Sequence, residues 1–340
     1  MKFLKNVHNF RAFAIIGVLG AHSLHNFEWP ENSLVFISLD TLFNQSTIWF
    51  AFIAGFLFQH LSSNYSTTTY YRKKIVNVIT PYLICSIPAL VSSLTWYSQD
   101  VPPGFDNLAI YEKVFVFLVT GKHLAPYWYI PTITLIFLLA PLLIYIDRRP
   151  YLYVTIIPSI IISGILGRDG FLEFANLTSY YSSVAKALYL LAPYMLGMLA
   201  SKYYNVTKNF VDKNFIILLL LSVLFYFLEI IYYHQTTYYI FIFKMVSSLL
   251  ILNMLDVNFK FLQKHINDIA DFSFSFFFIH GYFLASFKIL LIDILHFNSL
   301  PNGNIFIYLI FLLLNILLCL YTSAFIKSKL GKKSRYIIGC

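Results

Sequence analysis

Ten apolar stretches, each about long enough to cross a bilayer, constrain this chain more than any other feature. They fall near residues 9–27, 34–60, 75–97, 127–146, 151–167, 180–200, 214–233, 238–255, 272–292 and 305–326. Lipid offers no hydrogen bonds, so a chain crossing it must satisfy its backbone internally, and runs of this length read as helices. Pro81, Pro88, Pro131, Pro141, Pro158 and Pro193 lie within these runs. Membrane helices tolerate them because neighbouring groups satisfy the freed carbonyls. The segment 108–121 is too short and too charged to span and reads as re-entrant or interfacial. The expectation is an all-α, polytopic integral membrane protein of about ten transmembrane helices, forming a single domain over residues 1–340.

Only 11% of the residues are charged and 59% are hydrophobic, whereas soluble domains average about 25% charged. Cys85, Cys319 and Cys340 show neither disulfide nor metal-ligand spacing. The net charge of +9 would suit a nucleic-acid binder, but its distribution does not. With the N-terminus inside, seventeen Lys and Arg residues fall in cytoplasmic stretches, among them Lys2, Lys5, Arg72, Lys73, Lys74, Arg148, Arg149 and the run from Lys327 to Arg335. The outer stretches hold only Lys113, Lys122 and Arg168. By the positive-inside rule both termini are expected in the cytoplasm, and the excess charge is topogenic. No aromatic-basic stripe accompanies it, so no nucleic-acid partner is expected. Lys2 and Lys5 precede an apolar core, as in a signal peptide, but a small-x-small cleavage site is lacking and nine more runs follow. A retained signal-anchor helix is the better reading.

Arg11, Lys186, Lys244 and Lys288 lie within apolar runs, where ionisable groups are costly and by default functional. Arg11 and His22 stand eleven residues apart in the first run. Eleven helical steps turn through about 1100°, three turns plus roughly 20°, and rise about 16 Å. Both side chains therefore share one helix face, with Arg11 toward the cytoplasm, His22 toward the outside, and His25 one turn further on. Taken alone, Arg11 also fits a snorkelling anchor and His22 a packing residue.

The run from Arg11 to His22 resembles the Arg-x10-His signature of the membrane-bound acyltransferase-3 family, whose members O-acylate cell-surface sugars and similar acceptors. Further segments match in order. Phe50-Ala51-Phe52-Ile53-Ala54-Gly55-Phe56 resembles an aromatic-rich run in the second helix, with Ala54 where the family often has Ser. Tyr71-Arg72-Lys73-Lys74 followed by Thr80-Pro81-Tyr82 resembles a basic loop before a Pro-Tyr; Asn77 and Val78 stand where a second arginine is expected. Trp128-Tyr129-Ile130-Pro131, closing with Ala140-Pro141-Leu142, resembles a Trp-containing helix entrance, and the run from Ser273 to His280 a late helix ending in histidine.

The resemblance implies an enzyme that moves an acyl group, acetyl by expectation, from cytosolic acyl-CoA to a sugar hydroxyl. The acceptor would be a surface polysaccharide or lipid-linked glycan, and the enzyme would sit in the inner (cytoplasmic) membrane of a bacterial cell. The residues themselves fit that chemistry. Guanidinium and ammonium groups suit phosphate, so Arg11 is the expected cofactor-holding residue of the catalytic pair, with Arg72, Lys73 and Lys74 binding acyl-CoA phosphates. Arg72–Lys74 also fits plain positive-inside charge. An apolar setting disfavours the imidazolium, so His22 is expected to take a proton from the acceptor hydroxyl as general base; an acyl-histidine intermediate stays open.

Asp40, Trp128 and His280 are the expected substrate-binding residues. Asp40 could orient a histidine or lie in a wetted cavity. Trp128 could line the acyl or sugar site or belong to an interfacial belt, and His280 could be a packing residue. Glu229, Lys244 and Lys288 have no evident partner in the sequence. No metal and no tightly bound cofactor are expected; acyl-CoA is a co-substrate, and the expected partners are membrane lipid and a glycan acceptor. Two other classes compete. A polysaccharide exporter or flippase is disfavoured because no internal repeat is visible. A glycan polymerase is disfavoured by short external stretches, the longest about 98–126.

Overall fold

A computed structural model describes residues 4–95, 101–233, 235–255 and 262–340. The described residues are helical apart from loops and an isolated bridge between Glu28 and Asn302. In chain order the α-helices are α1 (Lys5–Leu24), α2 (Leu34–Phe43), α3 (Thr47–His60), α4 (Thr67–Lys74), α5 (Thr80–Thr95), α6 (Ile110–Thr120), α7 (Tyr129–Leu138), α8 (Ala140–Asp147) and α9 (Ile156–Leu166). There follow α10 (Gly170–Phe174), α11 (Ser182–Lys202), α12 (Tyr204–Lys213), α13 (Phe215–Ile231), α14 (Tyr238–Met254), α15 (Gln263–Ile289), α16 (Ile305–Leu330) and α17 (Ser334–Ile337).

The apolar runs expected to span lie mostly on helix, with residues 96 and 97 of one run outside the described residues, but by length and composition fewer than the expected ten qualify as spans. Among the described residues, five helical segments are long and apolar enough to cross a membrane: Leu34–His60, Thr67–Thr95, Ser179–Lys202, Gln263–Ile294 and Ile305–Ile337. Two bent pairs raise the number to seven if each counts once: Ala125–Leu138 with Ala140–Asp147, bent by 55°, and Tyr204–Lys213 with Phe215–Ile231, bent by 79°. Pro150–Leu166 and Tyr238–Met254 are shorter apolar helices. The 11-residue α6 is about 16 Å long, too short to span.

Proline shapes one of the long segments. Pro81 has no N–H to give the preceding turn, and Ile75–Ile79 widens into a π-turn in which the Thr80 N–H donates to the Ile75 carbonyl. The Thr80 hydroxyl adds a second bond to that oxygen at 3.1 Å.

The chain forms two compact units. The first comprises residues to Phe50, Lys208–Ser334 and Ile338–Cys340; the second comprises Ala51–Thr207 and Arg335–Ile337. In the first, α1 runs alongside α15, and α13 and α14 form an antiparallel hairpin. In the second, α11 is packed against α7 and α9.

Two glycines bring α3 and α11 to backbone contact within the second unit. A Cβ on Gly55 would lie 1.9 Å from the Tyr194 carbonyl oxygen, and one on Gly197 would lie 2.0 Å from that of Phe52. Small residues permit this closeness between helices in lipid. In the same unit, a loop is pinned to α5. His123 Nδ1 contacts the Phe117 carbonyl at 3.0 Å and must donate to it, so Nε2 accepts from Ser86 Oγ at 2.8 Å. Ser93 Oγ donates to the His123 carbonyl at 3.1 Å. Burial pushes the His123 imidazole down to about 4.

Gly55→Ala and Gly197→Ala should each destabilise the folded protein by about 1–3 kcal/mol, because neither facing atom is a side chain that can rotate away; unfolding in detergent measures this. His123 binds a proton more readily unfolded than folded. Its contribution is therefore full above about pH 6.5 and is lost as pH falls toward 4, about 3 kcal/mol in all. The drop in melting temperature between pH 7 and pH 4.5 should shrink in His123→Asn.

Candidate functional site

The first unit pairs α1 in parallel with α15 through a ladder of polar contacts. Near the helix starts, Gln263 Nε2 donates to Asn9 Oδ1 at 3.0 Å. Arg11 Nη2 donates to Ser273 Oγ at 3.0 Å, and Asp271 is the carboxylate whose charge acts on Arg11. His8 Nε2 lies 4.0 Å from the same Asp271. Three turns on, the His22 and His280 rings lie 5.5 Å apart between centroids. Beyond them Asn26 Nδ2 donates to the Leu284 carbonyl at 3.1 Å.

The histidine pair is asymmetric. His280 is fully buried and its Nδ1 lies 2.8 Å from the Phe276 carbonyl. A carbonyl only accepts, so Nδ1 carries a proton, and in the neutral ring Nε2 holds the lone pair. That Nε2 has no hydrogen-bond partner among the described residues. His22 is only partly buried, so the pair combines a sheltered ring with an accessible one.

The segment Leu34–His60 is broken where it passes α1. The chain leaves α2 after Phe43, turns through Gln45 with φ +56° and restarts at Thr47. Gly17 and Gly20 of α1 make room for the break: a Cβ on Gly17 would lie 2.5 Å from Ser46 Oγ, and one on Gly20 2.8 Å from the Phe43 ring. Breaking a helix strands carbonyls at its end. Lys244 of α14, fully buried, donates through Nζ to the Leu42 carbonyl at 2.6 Å and lies 3.9 Å from the Trp49 ring centroid. Trp49 Nε1 in turn donates to Ser247 Oγ at 3.0 Å.

Asp40 sits one turn before the break and supplies the charge that acts on Lys244. Its Oδ2 accepts from Asn44 Nδ2 at 3.1 Å and from the Tyr233 hydroxyl at 3.0 Å. Tyr233 also lines a cavity of about 360 Å³ beyond the end of α1, together with His25, Trp29, Glu31 and Phe36. Asp40 is thus wired to a cavity wall through a phenol.

In the second unit the basic segment divides by face. Tyr71 and Lys74 serve the bend between α7 and α8: the Tyr71 hydroxyl donates to the Leu138 carbonyl at 2.9 Å, and Lys74 Nζ lies 3.7 Å from the Phe137 ring centroid. Arg72 and Lys73 are exposed. Trp128 precedes α7, and two cations approach its ring, the Arg168 guanidinium carbon at 5.6 Å and Lys186 Nζ at 5.2 Å.

The structure therefore gathers Arg11, His22, His280 and Asp40 in the first unit, whereas Arg72, Lys73, Lys74 and Trp128 belong to the second. Sequence reasoning missed Ser273 and Asp271 beside Arg11, and the partners of two buried charges. Lys244 caps α2; Glu229 Oε2 accepts from the Ile240 N–H at the start of α14, at 3.1 Å. The available signal was an isolated charge in an apolar run, which a nearby helix end satisfies. No group of His, Cys, Asp and Glu among the described residues has the arrangement of a metal site.

The sequence profile of the acyltransferase-3 family, described as an acyltransferase domain, matches residues 4–324. No curated protein and no solved structure gave a match.

Asp40→Asn should destabilise the first unit by about 3 kcal/mol by leaving the Lys244 charge uncompensated. Lys244→Met should also destabilise, through the orphaned Leu42 carbonyl. The double variant should lose less than the sum of the two, with a coupling of about 1–3 kcal/mol in a double-mutant cycle of unfolding.

Proposed function

Since the chain belongs to the acyltransferase-3 family and is a multi-pass helical membrane protein, we propose that it transfers an acetyl or related acyl group from acyl-CoA to a hydroxyl of a surface or lipid-linked glycan. The observation that carries this reading is the α1–α15 pair, with a cation held at Ser273 and two histidine rings in contact about 16 Å along the same helix. Acyl-CoA has that polarity, with phosphates at one end of a long arm and a thioester at the other. A transporter or polymerase gives no reason for the pairing.

Arg11 pairs with a phosphate, its guanidinium oriented by Ser273 and partly offset by Asp271. The thioester lies beside His22. The His22 ring takes the proton of the acceptor hydroxyl, whose oxygen attacks the thioester carbonyl. Collapse of the tetrahedral adduct breaks the carbon–sulfur bond, and the CoA sulfur leaves with the proton that His22 took. The buried His280 ring, fixed by the Phe276 carbonyl, holds its lone pair ready for a hydrogen bond from the hydroxyl or the imidazolium. In the orientation given by the positive-inside bias, the α1 end bearing His22 and the neighbouring cavity face the outside. The acceptor then enters through that cavity, and Arg72 and Lys73 remain on the cytoplasmic side as the first charges a CoA meets.

His22→Ala should reduce acetyl transfer by about 100-fold or more while insertion and thermal stability are kept; substantial residual transfer removes the base from this residue. Arg11→Ala should weaken acetyl-CoA binding by about tenfold or more. The readouts are thiol release on adding acetyl-CoA and acceptor, and the acetyl mass increment on glycans from cells with and without the protein.

A further inference from the structure

The cations around Trp128 form an arrangement that no step above uses. Arg168 follows the left-handed Gly167 that closes α9, Lys186 stands in the first turns of α11, and Lys122 follows the left-handed Gly121 that closes α6. Arg168 and Lys186 share one carboxylate: Arg168 Nε lies 3.1 Å from Asp169 Oδ2, and Lys186 Nζ 3.6 Å from Asp169 Oδ1. The charges of Arg168 and Lys122 both act on Lys186, and against them stands the Asp169 carboxylate. Lys186 keeps 13% of its side-chain surface, so its ammonium is the sheltered member of the cluster, beside a more open Arg168. Like charges gathered at low exposure repel strongly and are stabilised by an anion that enters between them.

The aromatic half of the arrangement narrows the kind of anion. Trp128 is partly exposed, and its ring stands within reach of both the guanidinium and the ammonium. An indole face offers a flat apolar platform for the C–H face of a pyranose ring, and cations at its edge suit a carboxylate or phosphate carried on that ring. Arg168 and Asp169 remain 40% and 47% exposed, so the cluster is open to a ligand. In the orientation proposed above, the loops bearing Lys122 and Arg168 face the outside.

We propose that Trp128, Arg168 and Lys186 form a subsite for an anionic sugar residue, so that the glycan acceptor is acidic. Trp128 stacks on the ring, while Arg168 and Lys186 turn from their shared Asp169 to the sugar's carboxylate or phosphate, and Lys122 adds to the field. The proposal rests on the glycan-acyltransferase reading for its ligand class, but binding at this subsite does not require acyl transfer.

The test is equilibrium binding to the purified full-length protein in neutral-lipid nanodiscs. The probes are a glucuronate-containing oligosaccharide and its carboxyl-reduced, neutral counterpart. The acidic form should bind about tenfold more tightly or better, with affinity falling as salt rises. Arg168→Gln and Lys186→Gln should each erase most of that preference, and Trp128→Ala should weaken both forms. Equal binding of the two oligosaccharides, or a preference untouched in both charge variants, overturns the proposal. Nanodiscs containing phosphatidylglycerol separate a second source of anion: if that lipid abolishes saccharide binding competitively, the subsite belongs to a lipid headgroup and the proposal fails. Acetyl transfer that proceeds equally well on neutral and acidic acceptors would also overturn it while leaving the acyltransferase reading intact. A lack of transfer to any acceptor, with acidic binding retained, would do the reverse.

Discussion

Broken and short helices in an apolar environment leave carbonyls that water cannot reach, and much of this structure is organised around supplying them with donors. Lys244 donates to Leu42 at the end of α2, and Tyr71 to Leu138 at the end of α7. Lys202 donates to the Asp147 carbonyl at the end of α8 and also bonds its carboxylate at 3.2 Å. Asn6 and Asn9 donate to Leu252 and Leu255 where α14 ends. The cost of a buried cation is offset when the cation lies at a helix C-terminus, where the helix dipole favours it. Bends that would be liabilities in a continuous span become fixed points.

Those fixed points set the candidate chemistry. The break at Asn44–Ser46 presses against Gly17 and Gly20, and this holds α1 where its opposite face meets α15. Residues at the two ends of the sequence, Arg11 with Ser273 and His22 with His280, are then joined by parallel helices rather than by a hairpin. A rigid scaffold of this kind positions a pair of imidazoles and a guanidinium without help from mobile loops. Asp40 supports the same region indirectly, balancing Lys244 on one side and holding Tyr233 at the cavity wall on the other.

The fold was legible in the sequence to the extent that hydropathy encodes it. The described residues of the apolar runs lie mostly on helix, and the segment at 108–121, too short and charged to span, contains the short helix α6. Bends were less legible. Pro141 marks the α7–α8 bend, but the break at Asn44–Ser46 contains no proline and only a left-handed Gln45. Of the candidate site, the shared face of Arg11 and His22 follows from helical period alone. Their partners on α15 lie some 260 residues away and follow only from packing. The basic run Arg72–Lys74 illustrates the limit: its composition is uniform, yet one lysine lies against an aromatic ring while its neighbours are exposed. Charge counting does not distinguish faces of a helix; three-residue periodicity with Tyr71 does.

The paired glycines of α3 and α11 also limit how the second unit can move. Gly55 meets Tyr194 and Gly197 meets Phe52, two notches three residues apart on antiparallel helices. Sliding either helix by a single residue, about 1.5 Å, would lift both notches out of register and drive side chains into the facing carbonyls. Shear between these helices is thereby barred. The interruptions of the helical rods in this unit lie elsewhere, at the π-turn before Pro81 and the 55° corner at Leu139, away from the locked pair.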